Sequence, residues 1–374
     1  MRIAVNTRFL LPNKLEGIGR FTFEIVSRMV INHPNDEFIL FFDRPFDPKY
    51  IFAKNITPVV LFPPTRHPLL IVSWFEWAVR RALKKYKAEV FFSPDGFLSL
   101  SSSVKTVIVT HDLAYKHSSD KVNLVVQKFY EILTPKYLVK AKEIITVSAF
   151  TKNDISRFFP SIKDKISVVY NSCNENYKPI SPEEQANVRQ KYSDGKPYFV
   201  YLGAVHPRKN VHRLIAAFDQ FKNATNSDFK LIIVGNFAWK TGEVLTAYNN
   251  ATYKKDIILM GYIPEDILPN IIGAAYAMTY LSLFEGFGLP IVEAMNCEIP
   301  IITANVASMP EVGGDAVLLA DPYSIDDIAQ KMRWLYEDKN LYFNLINKGK
   351  VQKNKFNWDR SANEVYDILK KVLG

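Results

Sequence analysis

Cysteine is nearly missing from this sequence: 374 residues contain two, Cys173 and Cys297. Two thiols cannot frame a disulfide scaffold for so long a chain, and they lack metal-ligand spacing, so a reducing, cytoplasmic setting is expected. Long apolar runs are missing too. Residues 69–79 are broken by Ser73 and Glu76, and residues 267–283 by Pro269 and Asn270, so neither supplies the ~20 apolar residues of a spanning helix. Residues 1–6 read as a short strand followed by Arg8, not as an apolar leader. There is no low-complexity tract and no internal repeat, and no Asp-x-Asp pair of the kind that holds a metal beside a diphosphate. Patterns typical of nucleic-acid readers (zinc-finger spacing, RNP-like or helix-turn-helix segments) are absent as well.

What is present is an ordinary globular composition, 48% hydrophobic and 23% charged, with length enough for two full cores. The 47 basic and 38 acidic residues leave a formal charge of +9, which favours anionic partners without choosing between nucleotide, nucleic acid and lipid headgroup. Short apolar runs fit for parallel strands lie at 2–6, 38–42, 58–62, 90–93, 106–110, 143–148 and 165–170, with helical patterns at 21–30, 122–139 and 151–159. Residues 179–196 break the alternation. A second set of strands follows at 198–203, 229–235, 256–260, 275–281, 299–303 and 317–320, and helices at 324–337, 340–353 and 358–373. The expectation is an α/β protein of two Rossmann-like domains, 1–180 and 197–357, with the crossing between Asn174 and Lys196.

The most informative stretch follows the apolar run 274–283. It contains Glu285, then Gly286-Phe287-Gly288-Leu289, then Pro290 opening a helix that carries Glu293 and stops near Glu298. Proline suits a first helical turn because its missing N–H costs nothing there. Free N–H groups at a helix start bind phosphate well. A carboxylate beside such an anion site is costly unless it meets hydroxyls, so Glu285 and Glu293 bracketing this turn predict a nucleotide-sugar pocket. A second loop, Pro207-Arg208-Lys209-Asn210, follows a strand and opens a helix. Its two adjacent cations suit a diphosphate clamp, and Asn210 is a favourable N-cap. His111 and Asp112 stand just past the strand 106–110, at the end where parallel sheets meet ligands. Gly17 and Gly19 open the first helix, which fits either a phosphate loop or a simple tight turn.

The string Glu-Gly-Phe-Gly-Leu-Pro-Ile-Val-Glu-Ala-Met resembles the Glu-x7-Glu motif of the retaining glycosyltransferases of family 4, which adopt the GT-B fold. The Pro-Arg-Lys-Asn loop, the His-Asp pair and the Gly17–Gly19 loop are similar to that family's as well. One departure is Ala204, where many relatives carry an arginine directly after the strand glycine. The resemblance implies two Rossmann-like domains facing across a cleft, with the terminal helix, 358–374, returning to the first. It also implies a retaining, metal-independent transfer of a hexose from a nucleoside diphosphate sugar, with no cofactor. Bacterial mannosyltransferases of surface polysaccharide assembly are the nearest match in style, so GDP-mannose is the expected donor and a glycan or lipid-linked glycan the expected acceptor. The implied roles are Arg208 and Lys209 on the pyrophosphate, Glu285 on sugar hydroxyls, Glu293 on the ribose and His111 near the reacting carbon. The Gly286–Leu289 backbone, Gly17, Gly19, Asp112 and Ile263 would also lie against the donor, Ile263 near the base. UDP-glucose or another hexose donor and a nucleotide-sugar 2-epimerase are the alternatives within the fold; a basic nucleic-acid binder and a catalytically dead scaffold lie outside it.

Residues 69–87 place Trp74, Phe75 and Trp77 beside Arg80, Arg81, Lys84, Lys85 and Lys87. That pattern fits either a peripheral contact with an anionic membrane on its inner face or an amphipathic helix with one core face and one solvated basic face.

Overall fold

The computed structural model describes residues 1–11, 15, 17–117, 124–236 and 242–374, without the side chains of residues 124 and 125. The chain divides into two compact units, Met1–Asn171 with Asn357–Gly374, and Ser172–Phe356.

The first unit is built on seven parallel strands: β1 (Arg2–Asn6), β2 (Glu37–Phe42), β3 (Ile56–Val60), β4 (Val90–Ser93), β5 (Lys105–Thr110), β6 (Glu143–Thr146) and β7 (Ile166–Val168). Their order is β3-β2-β1-β4-β5-β6-β7. Covered on both faces, such strands must be apolar throughout rather than alternating. Ile3, Ala4 and Val5 in β1 and Phe91 and Phe92 in β4 are fully buried, as that geometry requires. The order reverses between β1 and β4, which makes the carboxyl ends of those two strands the switch point of the sheet, where open α/β sheets bind ligands.

The second unit repeats this plan with six parallel strands: β8 (Tyr198–Leu202), β9 (Lys230–Val234), β10 (Ile257–Gly261), β11 (Ala277–Tyr280), β12 (Ile301–Ala304) and β13 (Leu318–Ala320). Their order, β10-β9-β8-β11-β12-β13, puts the switch point between β8 and β11. The helix Val211–Thr225 covers this sheet with Val211, Leu214, Ile215, Phe218 and Phe221. The expected helix over 122–139 is observed as Leu124–Lys140; its first residues, 122 and 123, lie outside the described residues.

The chain enters the second unit at Ser172, earlier than the 174–196 crossing read from the sequence. The Ser172 hydroxyl donates to the Phe356 carbonyl at 3.2 Å. The polar helix Pro182–Ser193 is tied to that unit by Arg189, which donates to the Ala274 carbonyl at 2.8 Å. Polarity alone resembles a linker, but these anchors make the segment part of the domain. The last helix, Trp358–Leu373, belongs to the first unit. It buries Trp358, Ala362, Val365, Leu369 and Val372 along one stripe. Polar contacts fix its register: Ser361 donates to the Tyr170 carbonyl at 2.7 Å, and Arg28 pairs with Asp359 at 2.7 Å.

Trp74 and Phe75 are core residues, not surface ones. The helical segment runs Pro68–Ser73, then Trp74–Val79 in wide π-helical turns, then Arg80–Lys85. Within it the two neighbouring rings both sit in the core, and the Trp74 indole N–H donates to the Leu61 carbonyl at 3.1 Å. Trp77 alone of the three rings faces out, 66% exposed. Helices in this part of the fold are not long and apolar enough to cross a membrane, and the same is true of every helix among the described residues.

Candidate active site

The second unit brings Arg208, Lys209 and Glu285 to the β8/β11 switch point. β8 ends in an apolar run, and the chain then turns through Pro207–Lys209, a single short turn whose amide at Arg208 donates to the His206 ring at 3.3 Å. Asn210 follows in a left-handed conformation, φ +60°, which asparagine tolerates better than most residues. It is the boundary residue of the next helix, as expected, but its side chain does not cap that helix. Instead the amide donates to the carbonyls of Leu281, at 3.2 Å, and Pro322, at 2.6 Å. Asn210 therefore fastens the cation loop to the end of β11. The Leu283 N–H donating to the Arg208 carbonyl at 2.8 Å closes the same junction.

This arrangement brings Arg208, Lys209 and Glu285 together. Lys209 Nζ lies 2.5 Å from Glu285 Oε1 and 3.0 Å from the Tyr280 hydroxyl. Arg208 Nη1 lies 3.3 Å from Glu285 Oε2 and donates to the Phe284 carbonyl. Burial works against ionising Glu285, but the Lys209 and Arg208 charges outweigh it and hold the carboxyl below its ordinary range. Tyr280, fully enclosed and next to that carboxylate, is held well above the usual phenol range, chiefly by burial. It is a neutral hydroxyl at any working pH. The cluster contains two cations and one anion, so one positive charge is left over at the sheet edge.

The backbone after Glu285 is held from beneath. The Ser308 hydroxyl lies 2.9 Å from the Glu285 carbonyl and 2.7 Å from the Phe287 carbonyl. The Phe287 ring is buried against Phe356, with centroids 5.5 Å apart. Gly288 takes φ +101°, a conformation only glycine adopts without strain. The chain can then turn directly into the helix Leu289–Asn296, with Pro290 in its first turn. Gly286 is buried on the same loop.

Glu293 occupies a different neighbourhood. It hydrogen-bonds the Tyr177 hydroxyl, and its charge is felt by both cysteines. Burial first, and Glu293 second, push the Cys173 thiol up to about 12 and raise Cys297 and Tyr177 as well. These thiols are buried and protonated, hence unreactive. Ile263 lies half-buried just past β10, after Gly261 at φ +66°.

The remaining sequence-predicted residues lie in the first unit. His111 follows β5, and its Nε2 is 2.8 Å from the Pro94 carbonyl. A carbonyl only accepts, so Nε2 carries the proton and Nδ1 is left as an acceptor. Burial depresses the His111 pKa, only partly offset by the Pro94 carbonyl and by Asp112 and Asp95; the ring is neutral at physiological pH. Asp112 uses Oδ1 to accept from the Ala114 N–H at 2.8 Å, so it shapes its own turn. Gly17, φ +49°, precedes the helix Ile18–Asn32. A Cβ at Gly19 would stand 2.5 Å from the Phe9 carbonyl, so close backbone packing already requires glycine there.

Sequence reasoning missed Tyr280, Ser308 and the clamp formed by Asn210. Tyr280 could have been found, because it ends a parallel strand beside the motif. Nothing in sequence spacing points from Ser308 to Glu285, 23 residues earlier.

Comparison with known proteins agrees with this geometry. Residues 183–352 match the family model "Glycosyl transferases group 1", and residues 16–177 match "Glycosyltransferase Family 4". The O-antigen chain mannosyltransferase B of Escherichia coli is 31% identical, over 95% of this chain and 96% of that protein. The O-antigen chain mannosyltransferase RfbU of Salmonella typhimurium is 29% identical over 58% of this chain and 56% of its own. Among solved structures, a glycosyltransferase from Rickettsia africae superposes with TM-score 0.77 at 17% identity, over 100% of this chain and 98% of that one. Anabaena HepE in complex with UDP-glucose superposes at 0.76 and 17%, over 99% and 100%. Both family models and a full-length relative thus agree with the doubled parallel-sheet architecture: the chain belongs to the family 4, group 1 glycosyltransferases and has the GT-B fold.

Proposed function

We propose that this glycosyltransferase moves mannose from GDP-mannose to a glycan or lipid-linked glycan acceptor, with retention at the anomeric carbon and without a metal ion. The observation that carries the reading is the convergence of Lys209 and Arg208 on Glu285, at the switch point and beside the glycine turn. The mannose preference is supported by the named activity of the 31% identical relative.

The hard step in such a transfer is departure of the diphosphate from an oxocarbenium-like sugar. Negative charge grows on the phosphate oxygens as the bond breaks. Arg208, Lys209 and the N–H groups at the Gly286–Leu289 turn are positioned to meet it. Glu285 pairs with both cations in this structure. When donor binds, the phosphates take over the cations and Glu285 is freed to accept from sugar hydroxyls. Glu293 accepts from the ribose, which every nucleotide donor carries. The acceptor hydroxyl attacks on the face the diphosphate leaves, and a phosphate oxygen takes its proton.

The reading is tested by incubating the protein with GDP-mannose and an α-linked mannobiose in EDTA and following the product's anomeric proton by NMR. An α-linked trisaccharide is expected. An inverted linkage, a requirement for Mg²⁺ or Mn²⁺, or transfer from UDP-glucose alone would each remove one part of the proposal. Interconversion of GDP-mannose without acceptor would favour an epimerase.

A membrane-bound acceptor suits one surface of the first unit. Phe62 is 83% exposed, Leu69 73% and Trp77 66%. They share residues 60–87 with six cations, Arg66, Arg80, Arg81, Lys84, Lys85 and Lys87, and a single acid, Glu76. Glu76 is turned away to the loop at 99–101, accepting from the Leu100 and Ser101 N–H groups at 2.6 and 3.2 Å. Exposed apolar side chains in a segment so rich in cations fit the headgroup layer of an anionic bilayer.

A further inference from the structure

Arg8 and Asp95 form a buried ion pair that the donor chemistry does not use. Arg8 follows β1 and Asp95 follows β4, so the pair spans the switch point of the first unit's sheet. The two side chains are 6% and 1% exposed. Asp95 is fully engaged: Oδ2 accepts from Arg8 Nε, and Oδ1 accepts from the Ser93 hydroxyl at 3.2 Å and the Phe97 N–H at 3.1 Å. Ser93 in turn accepts from the Asn6 amide at 3.1 Å. Arg8 is only half engaged. Its guanidinium carbon lies 4.8 Å from the ring centres of Phe9 and Phe97, but its two terminal nitrogens make no hydrogen bond among the described residues.

The terminal nitrogens are not buried unpartnered atoms, so what little of the side chain is exposed leaves the fork open to donate. Holding a guanidinium in so enclosed a place costs more than apolar residues of similar volume would. The expense is understandable if the fork meets a ligand. Unlike the cluster around Glu285, this pair has no net charge, and Asp112 adds acid nearby, close enough to act on His111 together with Asp95. With its charge balanced and more acid close by, the site offers an anion less than the Glu285 cluster does. Neighbouring hydroxyls of a neutral sugar do gain, because a planar fork can donate to two of them at once.

We infer that Arg8 is a binding residue for the acceptor sugar, its terminal amino groups donating to two hydroxyls of a neutral glycoside, with Asp95 the positioning residue that fixes the fork. This deepens the transfer proposed above and rests on it, with α-linked mannobiose taken as the neutral glycan acceptor. Arg8→Lys keeps the charge and loses the fork. With α-linked mannobiose as acceptor it should raise the acceptor KM about tenfold, as expected for one lost hydrogen bond to a charged group, with kcat within about twofold. GDP affinity and acceptor-free hydrolysis of GDP-mannose should not change. The double variant Arg8→Met/Asp95→Asn guards against misfolding, since it removes both buried charges while the amide oxygen introduced at position 95 still accepts from Ser93 and Phe97 as the Asp95 carboxylate does; it should show the same KM effect with a cooperative melting transition. A mannobiose KM unchanged in both folded variants, or an equal loss of GDP affinity, overturns the assignment of Arg8 alone. A wild-type enzyme that binds GDP yet neither binds nor uses mannobiose overturns the proposed transfer to this acceptor, and this inference with it.

Discussion

The two halves of this molecule place a buried cation–carboxylate cluster at the same topological position, the switch point of a parallel sheet, but they charge it differently. In the second unit two cations share one carboxylate, Arg208 and Lys209 with Glu285. In the first unit one arginine faces one aspartate, Arg8 with Asp95, among the rings of Phe9, Phe75 and Phe97. The surplus charge in the second unit suits a diphosphate whose charge grows during reaction. The balanced pair in the first suits uncharged hydroxyls. On the function proposed above, one fold used twice would separate an anionic donor from a neutral acceptor by the count of cations at one sheet edge.

The sharpest way to break this comparison is to remove the surplus. Lys209→Ala leaves one cation for one carboxylate, as in the first unit. Turnover of GDP-mannose is expected to fall by roughly 10²–10³, the usual cost of deleting one preorganised group that meets transition-state charge. A smaller effect separates the two motif glutamates. Glu293→Ala should weaken binding of free GDP roughly ten- to a hundredfold, corresponding to one charged hydrogen bond of ~1.5–3 kcal/mol. Glu285→Ala should leave free GDP binding unchanged or tighter, because the cations lose their internal partner, while turnover drops. Equal losses of GDP affinity in the two variants would mean that the roles are not divided this way.

The membrane contact proposed above would use the first unit. Trp77→Ser with Leu69→Ser should lower binding to anionic vesicles by about tenfold, and Arg81→Glu should do the same through charge, each well-placed cation contributing ~1 kcal/mol. Absence of wild-type co-sedimentation at low salt would leave Trp77 an ordinary exposed residue. The smallest expected effect concerns His111. Its folded pKa lies below the ordinary 6.5, so between those values the unfolded chain binds a proton that the folded protein does not. Stability should therefore fall as pH drops below about 6.5 and be flat above it. Melting curves of wild type and His111→Gln from pH 5 to 8 test this, with the acid-side loss smaller in the variant.

Much of this was legible in the sequence because parallel sheets write their strands as apolar runs and put ligand residues just after them. The cation loop and the glycine turn were readable for that reason. The limits are equally physical. For Trp74, Phe75 and Trp77 the sequence left a membrane contact and a core-facing helix both open; the structure buries Trp74 and Phe75 through the wide turn at Trp74–Val79 and leaves Trp77 outside. Asn210 looked like a side-chain cap because its position was right, but two carbonyls from other parts of the chain compete for its amide. The pairing of Glu285 with both cations joins residues about 75 positions apart, which no local pattern records. Arg8 and Asp95 are separated by 87 positions and became a pair only once β1 and β4 were known to be neighbours.

The central claim is that donor and acceptor are assigned to different switch points. Isothermal titration of GDP into wild type, Lys209→Ala and Arg8→Lys tests it most directly. The expected result is an affinity at least tenfold weaker in Lys209→Ala and indistinguishable from wild type in Arg8→Lys. Equal weakening in both variants, or none in Lys209→Ala, would contradict the account.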